Sequence, residues 1–328
     1  MADEKKFKTY NQQMRKLRDK KKIVCNGSKD KSILARTGYF NLINGYKKPF
    51  TCGIDSNGDH IYISGTALDN IYCLKTFDDE LRILLLKYIT KVEEEVRTLT
   101  GYKFDQCNND GKVPWFDTKA YSPSVRMQTV MGAISSAYSE LSKSHLDYVK
   151  FYMDNHTSIP TWIMIKVVNF STFINILDNS KVDVKHSICQ LYDITENNGH
   201  YNVKLLIGSL NWLRKIRNAC AHNERIYCIN AHGRIVEKYF GLMRPSYSNV
   251  PEKRIMDSLV YMKYYLPDDD FKSMVTEIQK MLEMLKNSVS KNAFDNIRGQ
   301  MGIKDLQDLE DLKKFLKKPI PYNKFDSF

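Results

Sequence analysis

From Leu81 to Leu99 apolar residues return every three or four positions: Leu81, Leu85, Tyr88, Val92, Val96 and Leu99. That rhythm matches the 3.6-residue turn and gathers them on one stripe, so a core-facing helix is expected from Leu68 to about Tyr102. The same reading predicts a long helix over 124–155. It also predicts a helix opened by Pro160 and running through WIMIKVVNFSTFINIL, with shorter helices to about 196. The next helix starts near Asn202, carries Val203, Leu205, Leu206, Leu210 and Leu213, and closes in the polar run RKIRNACAHNERIY, residues 214–227. Two helices are expected within 252–290. MGIKDLQDLEDLKKFLKK reads as a final exposed helix that stops before Pro319 and Pro321.

Toward the N-terminus the pattern is less regular. Residues 1–24 read as a basic helical start, and Ile33, Leu34, Thr37, Tyr39, Phe40, Leu42, Ile43 and Tyr46 suggest two short helices. CGIDSNGDHIYIS turns at Asn57-Gly58, a favoured hairpin pair. Its DSNGD is no calcium loop, because an EF-hand needs glycine at the sixth position and Gly58 is fourth from Asp55. Residues 103–123, with two prolines and the run CNNDGK, read as a loop. The expected fold is mainly α, a helical bundle with a small β-hairpin insertion and a C-terminal helical extension. Its segments are 1–24, a main domain over 25–245 and an accessory region over 246–328.

Composition changes this picture little. Apolar residues at 42% and charged residues at 27% describe an ordinary soluble protein. No apolar run approaches the roughly 18 to 20 residues that cross a bilayer, and MADEKKFKTY lacks the apolar stretch of a signal peptide. A cytoplasmic protein with no membrane partner is expected. The seven cysteines form no CxxC pair, and the spacing of Cys220, His222, Cys228 and His232 matches no common zinc module. No metal and no cofactor is expected.

Charge changes it more. The net charge of +12 is uneven: residues 1–50 hold fourteen Lys or Arg against four Asp or Glu, and residues 204–244 hold eight against two. Such concentrations imply a polyanionic partner, with nucleic acid the leading class. Lys20, Lys21 and Lys22, together with Lys47 and Lys48, are candidate RNA contacts. Of the aromatics among these charges, Phe7, Tyr10, Tyr39, Phe40 and Tyr46, most are expected in the core, although any left exposed would stack on bases.

The run RKIRNACAHNERIY offers chemistry to such a partner. Arg217 and His222 stand five residues apart, about 140° in rotation on a straight helix, whereas Asn218 and His222 share a face. An arginine presents a planar two-pronged donor to phosphate, a histidine can move a proton near neutral pH, and an asparagine can position either. Those parts suit metal-free RNA cleavage, with one group taking the 2′-OH proton and a cation stabilising charge on the phosphoryl oxygens. One histidine is short for both proton transfers, so a homodimer joining two motifs is expected. Spacing alone leaves open a structural helix-end histidine.

Four stretches carry a resemblance: GYFNLINGYKKPF, then YISGTALDNIYCLKTFDDELRILLLKYITKVEEEVRT, then IPTWIMIKVVNFSTFINIL, and finally LRKIRNACAHNERIY. In this order, over about residues 25–235, the chain resembles the Abi-like (abortive infection) family of bacterial phage-resistance proteins, related to the HEPN ribonucleases. The resemblance implies a HEPN-like helical fold and a metal-independent endoribonuclease toxin leaving 2′,3′-cyclic phosphate and 5′-OH ends. It implies Arg217 and His222 as the catalytic pair with the polar Asn218 beside them, in a site often shared between two copies. Glu93 and Arg97 match the family's helical Glu-Arg pair; they read either as lining for the same cavity or as a surface ion pair one turn apart. Arg214 and Arg225 flank the motif as further lining. Ser171 stands where the family pattern has glycine, and residues 236–328 fall largely outside the resemblance, although MGI resembles a short tail motif. An RNA-cutting toxin needs restraint, and the basic N-terminal region is a candidate for holding a small inhibitory RNA. The alternative is a non-cleaving module that holds a structured small RNA.

Overall fold

A computed structural model of the chain describes residues 7–196, 198–233 and 252–314. In chain order come α1 (Tyr10–Arg15), continued as a π-helical turn to Lys20, α2 (Gly27–Thr37) and a second π-helical turn over Phe40–Asn44. The hairpin β1 (Thr51–Ile54) and β2 (His60–Tyr62) leads into α3 (Leu68–Cys107). Then follow α4 (Met127–Ser142), α5 (Asp147–Asn155), α6 (Thr161–Val167), α7 (Phe170–Asn179), α8 (Val182–Leu191) and α9 (Val203–Ala221). A two-residue ladder of β3 (Ala231–His232) and β4 (Glu252–Lys253) precedes α10 (Ile255–Tyr265), α11 (Asp268–Ser288), α12 (Lys291–Met301) and α13 (Gln307–Lys314). The protein is mainly helical.

The Leu81–Leu99 stripe forms the axle of this arrangement. α3 has 40 residues and, at 1.5 Å per residue, is about 60 Å long. It starts where Asn70 reaches back to accept from the Ala67 backbone N–H at 2.7 Å. It outlasts the expected end near Tyr102 and stops where Asn109, Asp110 and Gly111 take positive φ. Gly101 has a packing role, since a Cβ there would stand 3.3 Å from Cγ2 of Ile165, so its absence lets α6 lie close. Helices α6, α8, α9 and α11 all pack directly on α3. The hairpin forms as expected, with Gly58 at φ +81° and the Asp55 carboxylate accepting from the N–H groups of Asn57 and Asp59.

Three expected helices differ. The one over 124–155 is broken into α4 and α5, because Ser144 closes the turn: its N–H bonds Leu141 and its hydroxyl accepts from the Leu146 N–H. The Pro160 helix is broken into α6 and α7 at Asn169, whose carboxamide oxygen accepts from the N–H groups of Ser171 and Thr172 at 2.8 and 3.0 Å, a strong N-cap. The exposed final helix expected over 301–318 is instead the tail of α12, ended by Gly302 at φ +81°, followed by α13. α13 is not wholly exposed, since it buries Asp308, Leu309 and Leu312. The remainder of that expected helix, from 315 on, lies outside the described residues, as does the expected domain boundary at 245.

The segments beyond β4 close over the axle. α11 runs along α3 with Lys91 paired to Asp270 at 2.9 Å. α10 is buried throughout and meets α9 through Trp212 Nε1 donating to Ser258 and through a Ser209–Tyr265 hydroxyl pair. No helix among the described residues is long and apolar enough to cross a membrane.

Candidate functional site

The site is built where α9 ends. Asn202 caps its start by accepting from the Leu205 N–H, and Leu205, Leu206, Leu210, Leu213 and Ile216 bury one face. At the other end Asn223 takes φ +55°, its N–H bonds Cys220 and the Glu224 N–H bonds Ala219. That pair of bonds around a left-handed residue is a Schellman stop, and asparagine is the side chain after glycine that tolerates it. The stop leaves His222 as the C-cap directly after Ala221, exposed, its ring without a hydrogen-bond partner among the described residues.

One buried carboxylate fixes the chain beyond the stop. Asp78, on the core face of α3, accepts from the Tyr46 hydroxyl at 2.9 Å, from Arg82 Nη1 at 3.0 Å and from the Tyr227 N–H at 2.7 Å. The Ile226 N–H adds a longer contact at 3.2 Å. Burial pushes this carboxyl up from the ordinary range, and those four donors work against that push. Arg82 in turn donates to the Glu224 carbonyl, and Arg225 donates to the Gly45 carbonyl. Three segments distant in sequence, around Tyr46, Asp78 and Tyr227, are thereby tied at one point.

Arg217 is held from the same helix, further along. Glu93 Oε1 accepts from Nε and Nη2 of Arg97 at 3.2 and 2.6 Å, while Glu93 Oε2 lies 3.5 Å from Nε of Arg217, an ion pair without hydrogen-bond geometry. Arg97 Nη1 also takes the Ile165 and Val168 carbonyls at 2.6 and 2.8 Å, satisfying the open end of α6. Glu93 and Arg97 are both buried. The surface reading of this pair is therefore corrected: apolar packing of α6 and α7 covers it, and the Phe170 and Phe173 rings face the guanidinium. The side chain of Arg217 is 37% exposed. Its Nη1 donates to Asn218 Oδ1 at 3.2 Å, and its Nη2 has no partner among the described residues. A guanidinium braced on one edge and open on the other can receive a phosphate oxygen.

Two depressions flank the end of α9. The larger, of 1010 Å³, is walled by Arg36, Phe40, Asn44, Asp79, Arg82 and Arg225, with Ala221 and Asn223 beside them. Asp79, Leu86 and Glu93 are seven residues apart and so share a stripe of α3; Arg217 and Ala221 share one on α9. Asp79, Leu86 and Ala221 line the cavity, and the Glu93–Arg217 pair lies further along the same two helices without lining it. The smaller depression, of 320 Å³, is lined by Asn211, Arg214, Lys215, Asn218, Glu224 and Lys253 among others. Cys220 is buried, and burial pushes its thiol up to about 12, away from the thiolate form that a nucleophile needs.

The stretch from residue 32 to residue 228 matches the family model described as Abi-like protein. The chain belongs to the Abi-like family. Every contact made at Asp78 falls within that span, and membership points to abortive-infection defence. No curated protein and no solved structure matches the chain.

Against this Abi-like frame the expected site residues divide. Arg217, Asn218, Glu93 and Arg97 come together, with His222 at the tip of the same helix. Arg214 lines the smaller depression and Arg225 the larger, on opposite sides of the motif. Lys20, Lys22 and Lys48 are exposed while Lys21 and Lys47 are half-buried, and none of the five lines either depression. Of the N-terminal aromatics, Tyr46 is buried and Tyr39 half-buried, but Phe7, Tyr10 and Phe40 are exposed. Asp78, Arg82 and Asn223 were not singled out as site residues. A signal existed for each: a charged pair set into an apolar stripe, and an asparagine directly after a helix end.

Proposed function

We propose that this Abi-like protein is a metal-independent endoribonuclease of the HEPN type, an RNA-cleaving toxin of abortive-infection defence. The observation that carries the proposal is the braced and half-exposed Arg217, five residues before an exposed helix-end His222, with cationic depressions on either side. His222 accepts the proton of a ribose 2′-OH, and that oxygen attacks the adjacent phosphorus. Arg217 stabilises the negative charge that develops on the phosphoryl oxygens. The bond from phosphorus to the 5′-oxygen breaks, the leaving oxygen takes a proton, and the ends are a 2′,3′-cyclic phosphate and a 5′-OH. In a homodimer the partner's motif supplies the second proton-transfer group. Asn218, bonded to Arg217, orients the guanidinium.

The test is cleavage of a mixed RNA pool in EDTA by the wild type and by His222→Ala, with analysis of the product ends. Cutting by the wild type alone, with cyclic phosphate ends, is expected. Binding without cutting by both proteins would favour instead a module that holds a structured small RNA, a reading that the same cationic depressions support.

A further inference from the structure

Four cationic side chains, Arg36, Lys75, Arg82 and Arg225, line the larger depression, against one lining carboxylate, Asp79. Asp79 is already engaged by Lys75 and Arg82. Arg36 and Arg225 have no carboxylate partner among the described residues, and Arg36 has no hydrogen-bond partner there at all. Arg225 uses Nη1 on the Gly45 carbonyl, which fixes its guanidinium at the wall of the cavity that it lines. Two unneutralised guanidinium groups, one of them pre-positioned, suit phosphate oxygens.

The rim has a different chemistry. Phe40 is 72% exposed, which is unusual for a ring of that size beside a cavity. It stands two residues after Gly38, whose φ of +75° ends α2. The carboxamides of Asn41, Asn44 and Asn223 border the same space and can both donate to and accept from a base edge. Cations, an exposed aromatic ring and amides around one cavity make up the composition that binds unpaired nucleotides, in which phosphate and base face are met together.

We infer that the cavity between Phe40, Arg36 and Arg225 is a subsite for an unpaired nucleotide of the RNA strand, seated next to the bond to be cut. This rests on the ribonuclease reading, because its position matters through the adjoining Ala221 and Asn223, which bracket His222. The base stacks on Phe40, and the phosphate on its strand neighbour meets Arg36 and Arg225. The subsite makes the protein a reader of single-stranded RNA, since a base held in a duplex cannot present its face to Phe40.

The test separates binding from cutting. His222→Ala is used throughout, with a fluorescein-labelled unstructured 8-nucleotide RNA and the same sequence annealed to its complement as probes. Adding Phe40→Ala is expected to weaken the single strand about tenfold and leave the duplex unchanged. Adding Arg36→Ala should lower the slope of log affinity against log salt by about 0.7, one phosphate contact on a single strand. Phe40 and Arg36 are exposed, so both variants should keep the wild-type unfolding midpoint. Unchanged single-strand affinity in both variants would overturn the inference. So would competition by ATP at low concentration combined with indifference to the length of the RNA, which would mark a site for free nucleotides. Neither result depends on catalysis: a protein that binds as expected yet never cuts would refute the ribonuclease reading and leave the subsite standing.

Discussion

Asp78 has more depending on it than any other single side chain near the motif. Replacing it by alanine removes the buried one of the two carboxylates that pair with Arg82, leaving only the half-exposed Asp79, and strips the Ile226 and Tyr227 N–H groups of their acceptor. A loss of about 3 to 5 kcal/mol in urea unfolding is expected, with a smaller loss for Asp78→Asn, which keeps one acceptor. A loss below about 1 kcal/mol would show that water replaces the carboxylate easily. Asn223 gives a finer test of the helix stop. Asn223→Gly should be nearly neutral and Asn223→Ala should cost about 1 kcal/mol, because only the second strains the left-handed backbone. Equal stabilities would deny the stop its role. At this scale the sequence showed the chemistry better than the anchoring. Arg217, Asn218 and His222 declare themselves by type and spacing. Asp78 lies in a run of acids, DDE, and only its fall on the stripe of Leu74, Leu81 and Leu85 marks it as buried.

Among the elements, α3 was legible because its apolar stripe, from Leu81 to Leu99, continues for about five turns without proline. The breaks at Ser144 and Asn169 were not, because hydroxyl and carboxamide side chains there outbid the helix for backbone donors and the apolar rhythm runs on across them. What those breaks achieve is seen at Arg97, which can reach the open carbonyls of α6 only because α6 stops at Val167. The pairing of Glu93 with both Arg97 and Arg217 couples this packing to the candidate site. Glu93→Gln retains an acceptor for Arg97 but loses the charge that braces Arg217. It should lower stability by about 1 to 3 kcal/mol and cut the single-turnover cleavage rate, while RNA affinity changes much less. A variant that loses affinity and rate together would place Glu93 in RNA binding instead.

Over the whole molecule, the N-terminal turn, the long axle and the end of α9 converge on one point although some 180 residues separate Gly45 from Arg225. Such convergence has no periodic signature, so the cavity could not be read from spacing. The charge asymmetry could, and it divides in space: the lysines at 20–22 stand apart from both depressions. Replacing Lys20, Lys21 and Lys22 together by alanine should reduce the salt dependence of binding to a long single-stranded RNA by about two in log–log slope. An unchanged slope would remove them from the RNA-binding surface. The central claim, attack by the ribose hydroxyl, is tested most directly at the bond itself. Once a cleaved position is mapped in a short RNA, the same oligonucleotide is made with a single 2′-deoxyribose on the 5′ side of that bond. The account predicts that it binds with unchanged affinity and is not cut there, whereas cutting at the original rate would mean that water, not the neighbouring hydroxyl, attacks the phosphorus.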